Sequence, residues 1–132
     1  MGMPDRLSDW ATRYLLRENR MNKKELDIFK KHVKTWRDKL GVLDWAISVD
    51  MDNIAEDRDA ECSTDAQNRC VLVSINQQSE SPTDKQLNEC ALHEVLEISL
   101  TDIRELMNVF YSWEFVDGVI HKHIRRMENA LR

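Results

Sequence analysis

Glycine and proline are scarce in this chain, three and two among 132 residues, and no apolar run approaches the length that crosses a bilayer. No Gly/Ser-rich linker, low-complexity stretch or internal repeat marks a boundary. Residues 1–132 are therefore expected to form a single domain, with 42% hydrophobic content to fill its core. Disulfide chemistry is missing too. Three cysteines are an odd number, and no apolar leader opens the chain, which describes reduced thiols in a cytoplasmic setting rather than a stapled secreted domain. Nor is positive charge in excess. A net charge of −5 with 33% charged residues argues against nucleic acid or a membrane surface as partner.

What the chain does have is periodicity. Leu7, Trp10, Ala11, Tyr14 and Leu15 recur at helical spacing and predict a first helix ending near Asn19. Asn22 suits the N-cap of a longer helix, in which Leu26, Phe29, Val33, Trp36 and Leu40 form the apolar stripe, lysines form the other face and Gly41 supplies the stop. From Trp45 the period becomes two, with Trp45, Ile47, Val49 and Met51 alternating with Ala46, Ser48 and Asp50. A strand from Ala60 to Thr64, a turn at Asp65-Ala66-Gln67-Asn68 and a strand from Cys70 to Asn76 then read as a small antiparallel β-meander. Ser81-Pro82-Thr83-Asp84 breaks the strand and caps a helix through His93 to about Asn108, and a last helix spans Trp113 to Leu131. The expected fold class is α+β.

The chemistry is concentrated in Cys90-Ala91-Leu92-His93-Glu94-Val95-Leu96-Glu97-Ile98. In an H-E-x-x-H helix two histidines one turn apart chelate zinc, and the glutamate beside the first takes a proton from water at the metal. Here the second histidine is absent and Glu97, itself an acceptable oxygen ligand, stands in its place. Ala91, Leu92, Val95, Leu96, Ile98, Ile103 and Leu106 fill one side of a helical wheel, and Cys90, His93, Glu94 and Glu97 share the other. The same spacing suits a solvated polar face on which Glu97 pairs with Arg104.

A zinc site with an open position needs a third ligand. His32 lies among lysines, where a cation is repelled. On the last helix Val116, Ile120, Ile124, Met127 and Leu131 mark the buried stripe, with His123 beside its centre and His121 at its border, next to Asp117 and Glu128. The expected metal ligands are His93, Glu97 and His121. Asp117, one turn from His121, is either an alternative ligand or a carboxylate that orients the imidazole, and His123 is the other alternative. A closed soft-ligand site would instead join Cys90 and His93 with Cys62 or Cys70.

The order of Lys39-Leu40-Gly41, Leu43-Asp44-Trp45-Ala46-Ile47, Asn68-Arg69-Cys70-Val71-Leu72-Val73, Ala91-Leu92-His93-Glu94 and Val119-Ile120-His121-Lys122-His123-Ile124-Arg125-Arg126-Met127-Glu128 resembles small zincin-like proteins of phage and prophage. In layout it is similar to the minimal gluzincin peptidases, from about Lys24 to Leu131. The resemblance implies a zincin-like fold in a host cytoplasm, His93 as a Zn2+ ligand and Glu94 as catalytic base. It also implies that the final strand, Cys70 to Asn76, lies beside the metal cleft with an edge that accepts an extended peptide. Two functional classes follow. One is a zinc-dependent hydrolase, a peptidase in which Glu94 activates water; the other is a catalytically inactive zincin-like module that binds a protein partner. An anionic Glu97 donates more charge to zinc than imidazole does, so metal binding is expected to be more secure than peptidase activity.

Overall fold

Capping fixes both ends of the first described helix. In the computed structural model, which describes residues 21–52, 54, 58–77 and 82–132, helix α1 (Lys23–Leu40) starts after Asn22. The Asn22 side chain accepts the Glu25 amide at 3.0 Å, and the Glu25 carboxylate accepts the Asn22 amide at 3.3 Å. The helix stops at Gly41, left-handed at φ +68°, where the Val42 amide donates to the Arg37 carbonyl at 3.0 Å. Phe29 and Val33 are buried while Lys30, Lys31 and Lys34 are exposed, as the stripe predicts. The helix expected over Leu7 to Asn19 lies outside the described residues.

Strands β1 (Ala46–Asp52), β2 (Ala60–Asp65) and β3 (Cys70–Asn76) fall where the alternation places them, but their order is not that of a meander. The sheet is mixed and ordered β1-β3-β2, with β3 parallel to β1 and antiparallel to β2. This corrects the antiparallel meander. It also corrects the free edge expected along Val71 to Asn76, because β3 is hydrogen-bonded on both sides and the edges are β1 and β2. Two causes act together. The short β2–β3 loop forces those strands to be neighbours, whereas residues 53–59 between β1 and β2 can step over one strand position, roughly 10 Å at ~4.8 Å per strand. β3 also carries the chain's densest run of β-branched residues, and Val71, Val73 and Ile75 are buried as a central strand requires.

Asn76, buried at the end of β3, fastens the crossing: its side-chain amide donates to the Arg58 carbonyl and its backbone amide to the Asp59 carbonyl, both at 2.8 Å. At the other end of the sheet Arg69 takes a left-handed conformation at φ +54°. Its guanidinium stacks 4.1 Å over Trp45 and pairs with Asp44 and Asp102, which holds the turn against the backbone cost of that conformation.

The single helix expected after Ser81-Pro82-Thr83-Asp84, through His93 to about Asn108, is two helices, α2 (Asp84–Ser99) and α3 (Thr101–Asn108), divided at Leu100. Side-chain hydroxyls explain the break. Ser99 Oγ donates to the Leu96 carbonyl at 2.7 Å and Thr101 Oγ1 to the Glu97 carbonyl at 3.2 Å, competing with the backbone ladder. Ile103 and Leu106, assigned by periodicity to the buried stripe, therefore turn outward at 51% and 65% exposure. Helix α4 (Trp113–Leu131) follows, capped by Ser112, with Val116, Ile120 and Ile124 buried.

Helix α2 is the centre of the molecule. Leu87, Ala91, Val95 and Ile98 pack with Phe29, Val33, Val71, Val73 and Ile75 in the core between α1, α2 and the sheet. Leu92, Leu96 and Leu100 pack with Val116, Ile120 and Ile124 in a second core under α4. Trp36 touches both cores, and its indole donates to Asn88 Oδ1 at 2.7 Å. The architecture is α+β, and no described helix is long and apolar enough to cross a membrane.

Candidate metal centre

With its apolar residues committed to two cores, α2 turns Cys90, His93, Glu94 and Glu97 toward β2 and α4. They line a cavity of about 1020 Å³. Across it, α4 presents His121. The Nε2 of His121 lies 3.0 Å from Glu97 Oε1, the Nε2 of His93 lies 3.6 Å from the same oxygen, and one donor atom from each of the three residues falls within 4.8 Å of the others. Ligand atoms about 2.0–2.1 Å from a tetrahedral ion stand about 3.3 Å apart, so these separations bracket what one ion requires. The donor set therefore fits a divalent cation.

Each imidazole has a carboxylate near Nδ1, closer for His121 than for His93. His121 Nδ1 faces the Asp117 carbonyl at 3.0 Å and Asp117 Oδ1 at 3.2 Å, two acceptors suited to a ring proton on Nδ1 when Nε2 holds a metal. Arg104 holds Asp117 in turn at 2.9 Å. His93 Nδ1 faces Glu128 Oε2 at 3.5 Å, and Arg132 approaches the same carboxylate at 3.4 Å. Each histidine thus points Nδ1 at a carboxylate and Nε2 at Glu97. The rings stand 5.8 Å apart, centroid to centroid, at 31°.

Glu94 is only 4% exposed, and the Cys62 thiol donates to its Oε2 at 2.7 Å. Burial raises the Glu94 pKa, the negative charge of Glu97 raises it further, and the Cys62 hydrogen bond opposes both. Burial also works upward on Glu97, but the pairing with His93 and the charges of His93, His121 and Arg104 outweigh it and hold this carboxyl below its usual range. The pairing with Glu97 raises His93 to about 9 despite desolvation. Burial foremost, then Glu94, pushes the Cys62 thiol up, and burial does the same to Cys90, so both are protonated at neutral pH.

The structure brings His93, Glu94, Glu97 and His121 together and places Asp117 as the orienting carboxylate. Three readings change. The face lines a cavity rather than standing free in solvent, and Arg104 pairs with Asp117 instead of Glu97, its partner in the solvated-face reading. His123 is exposed, away from the stripe it was placed beside. The soft-ligand set is not assembled among the described residues: Cys70 is exposed with its thiol 3.4 Å from the Asn68 carbonyl, and all three cysteines are free. His32 pairs with Asp84 at 2.8 Å, tying α1 to the start of α2.

Two contributors escaped the sequence reading. Glu128 is 7% exposed and braces His93; its signal was a carboxylate on the buried stripe, one turn beyond Ile124. Cys62, considered in the sequence only as a soft metal ligand, gave no signal of its contact with Glu94, because only the pairing of β2 with β3 carries it there. No protein-family model, curated protein or solved structure matches this chain.

Proposed function

We propose that this chain is a zinc-dependent hydrolase of peptide bonds with a zincin-like arrangement, in which His93, Glu97 and His121 hold the metal and Glu94 is the general base. The observation that carries the reading is the doubled brace: two imidazoles, each backed by a carboxylate at Nδ1, converge on one Glu97 oxygen. The resemblance of its motif order to small phage zincin-like proteins points the same way. Zinc at such a site supplies a Lewis acid that polarises a carbonyl and acidifies water. Glu94 follows His93 directly and shares its cavity, and its burial makes it a stronger base than a free carboxylate. The Cys62 thiol fixes one Glu94 oxygen and leaves the other to accept and return a proton.

A second reading, a non-catalytic module for a protein partner, draws on the surface around the α3–α4 turn. There Val109, Phe110, Trp113 and Phe115 are all more than half exposed. One set of measurements separates the two. Protein purified without chelator should carry about one zinc per chain by elemental analysis, His93→Ala should lose it, and Glu94→Gln should keep it while losing peptide hydrolysis. Absence of stoichiometric metal after zinc incubation overturns the metal centre. Bound metal with native and Glu94→Gln chains equally inert on a broad peptide library leaves the partner-binding module.

A further inference from the structure

The cavity walls carry eight carboxylates and only three guanidiniums, and each guanidinium is already paired: Arg58 with Glu61, Arg104 with Asp117 and Arg132 with Glu128. Among the described residues no cation pairs with Asp59, Glu89 or Glu105. A divalent ion between His93, Glu97 and His121 offsets only part of this charge. The cleft stays negative, and its low-dielectric walls concentrate that field on whatever enters.

The excess also comes from several elements. Glu89 lies on the early part of α2 and Asp59 just before β2, while Glu105 lies on α3, beyond the break that ends α2. From Glu89 to Ser99 the helix rises roughly 15 Å at 1.5 Å per residue, the span of about four to five extended residues at ~3.3 Å each. His93 and Glu97 sit between these ends. The lining at the α3–α4 end includes Trp113, 60% exposed, as well as Glu105. An indole and a carboxylate on one wall suit a lysine or arginine side chain, whose apolar stem lies on the ring while its head meets the acid.

We propose that the cleft takes an extended, basic peptide segment, with a lysine or arginine side chain held at the Trp113–Glu105 wall and a second drawn to Asp59 and Glu89. This inference rests on the metal-hydrolase reading for what happens at the centre of the cleft. It does not rest on that reading for charge selection.

Fluorescence anisotropy of dye-labelled Gly/Ser nonapeptides tests it, with zinc-loaded Glu94→Gln full-length chain as the intact binder. Three peptides differ only in carrying two lysines, two glutamines or two glutamates. The lysine peptide should bind about ten-fold tighter than the glutamine peptide, the order expected of one partly exposed ion pair and one cation–π contact, and the glutamate peptide weakest. Adding Glu105→Gln or Trp113→Ala should each remove about three-fold of that preference, and raised salt should erase most of it. Equal affinities, tighter binding of the glutamate peptide, or no binding of any peptide below about 1 mM overturns the proposal. So does a lysine preference that ignores both substitutions.

The same titration on native chain purified without chelator and incubated with zinc, its metal content measured alongside, separates the two claims. Lysine preference without stoichiometric metal upholds the acidic cleft and overturns the metal centre. Bound zinc without charge preference does the reverse.

Discussion

Both sides of helix α2 bury side chains, and they are held by opposite means. On one side Leu87, Ala91, Val95 and Ile98 are no more than 1% exposed among apolar neighbours from α1 and the sheet. On the other, Glu94 is as deeply placed as many core residues, yet its neighbours are Cys62, Glu97 and His93. The apolar side needs only volume and shape, so many sequences would fill it. The polar side needs each group matched to a partner from another element, because a buried charge without one is expensive. An amphipathic pattern records which side is apolar. It does not record whether the polar side meets water.

Four measurements sharpen that contrast. The largest effect belongs to the apolar side: Leu96→Ala should lower unfolding stability by about 2–5 kcal/mol, since the side chain is fully buried between α2 and α4. Chemical denaturation reads this directly. Zinc affinity of the refolded chain should fall far less than the stability does, and an equal collapse of both would mean that the two sides are not separable.

Next comes the brace on His93. Glu128→Gln keeps the shape but removes the charge facing Nδ1, and should weaken zinc binding roughly 10- to 100-fold in competition with a chelating dye. Unchanged affinity would reduce Glu128 to a partner of Arg132.

A smaller, directional effect follows from pH. In metal-free protein the folded-state pKa of His93 stands at about 9 against an ordinary 6.5, so protonated His93 contributes its full stability below pH 6.5. That contribution is lost as pH rises through 9. The Tm of chelator-treated chain should therefore fall across this window, and His93→Gln should flatten that part of the profile. Zinc requires neutral His93, so loading at pH 7 to 8 should also release protons, visible as a buffer-dependent heat of binding. A rising Tm between pH 6.5 and 9 would reverse the assignment.

The smallest effect is expected two residues from a ligand. His123→Ala, at an exposed position, should change stability by less than about 0.5 kcal/mol and leave zinc affinity intact, whereas His121→Ala should lower zinc affinity without comparable loss of fold.

The sequence by itself determined the helix over Lys23–Leu40 with its cap at Asn22 and left-handed stop at Gly41, the positions of the strands, the last helix and the approach of His93 to Glu97. These depend on neighbours within one or two turns, where spacing alone sets geometry. It also set His121 apart from His123, because the apolar period of α4 fixes which residue borders the cleft. Tertiary structure decided the rest. Strand order turned on a crossing that Asn76 fastens from the far end of β3, and the break at Leu100 on two hydroxyls outbidding the backbone ladder. The approach of Cys62 to Glu94 and the convergence of both histidines on one Glu97 oxygen required β2 and α4 to close over α2. Such contacts join residues tens of positions apart, and no local period encodes them, because the free energy that selects them comes from burying the two cores together.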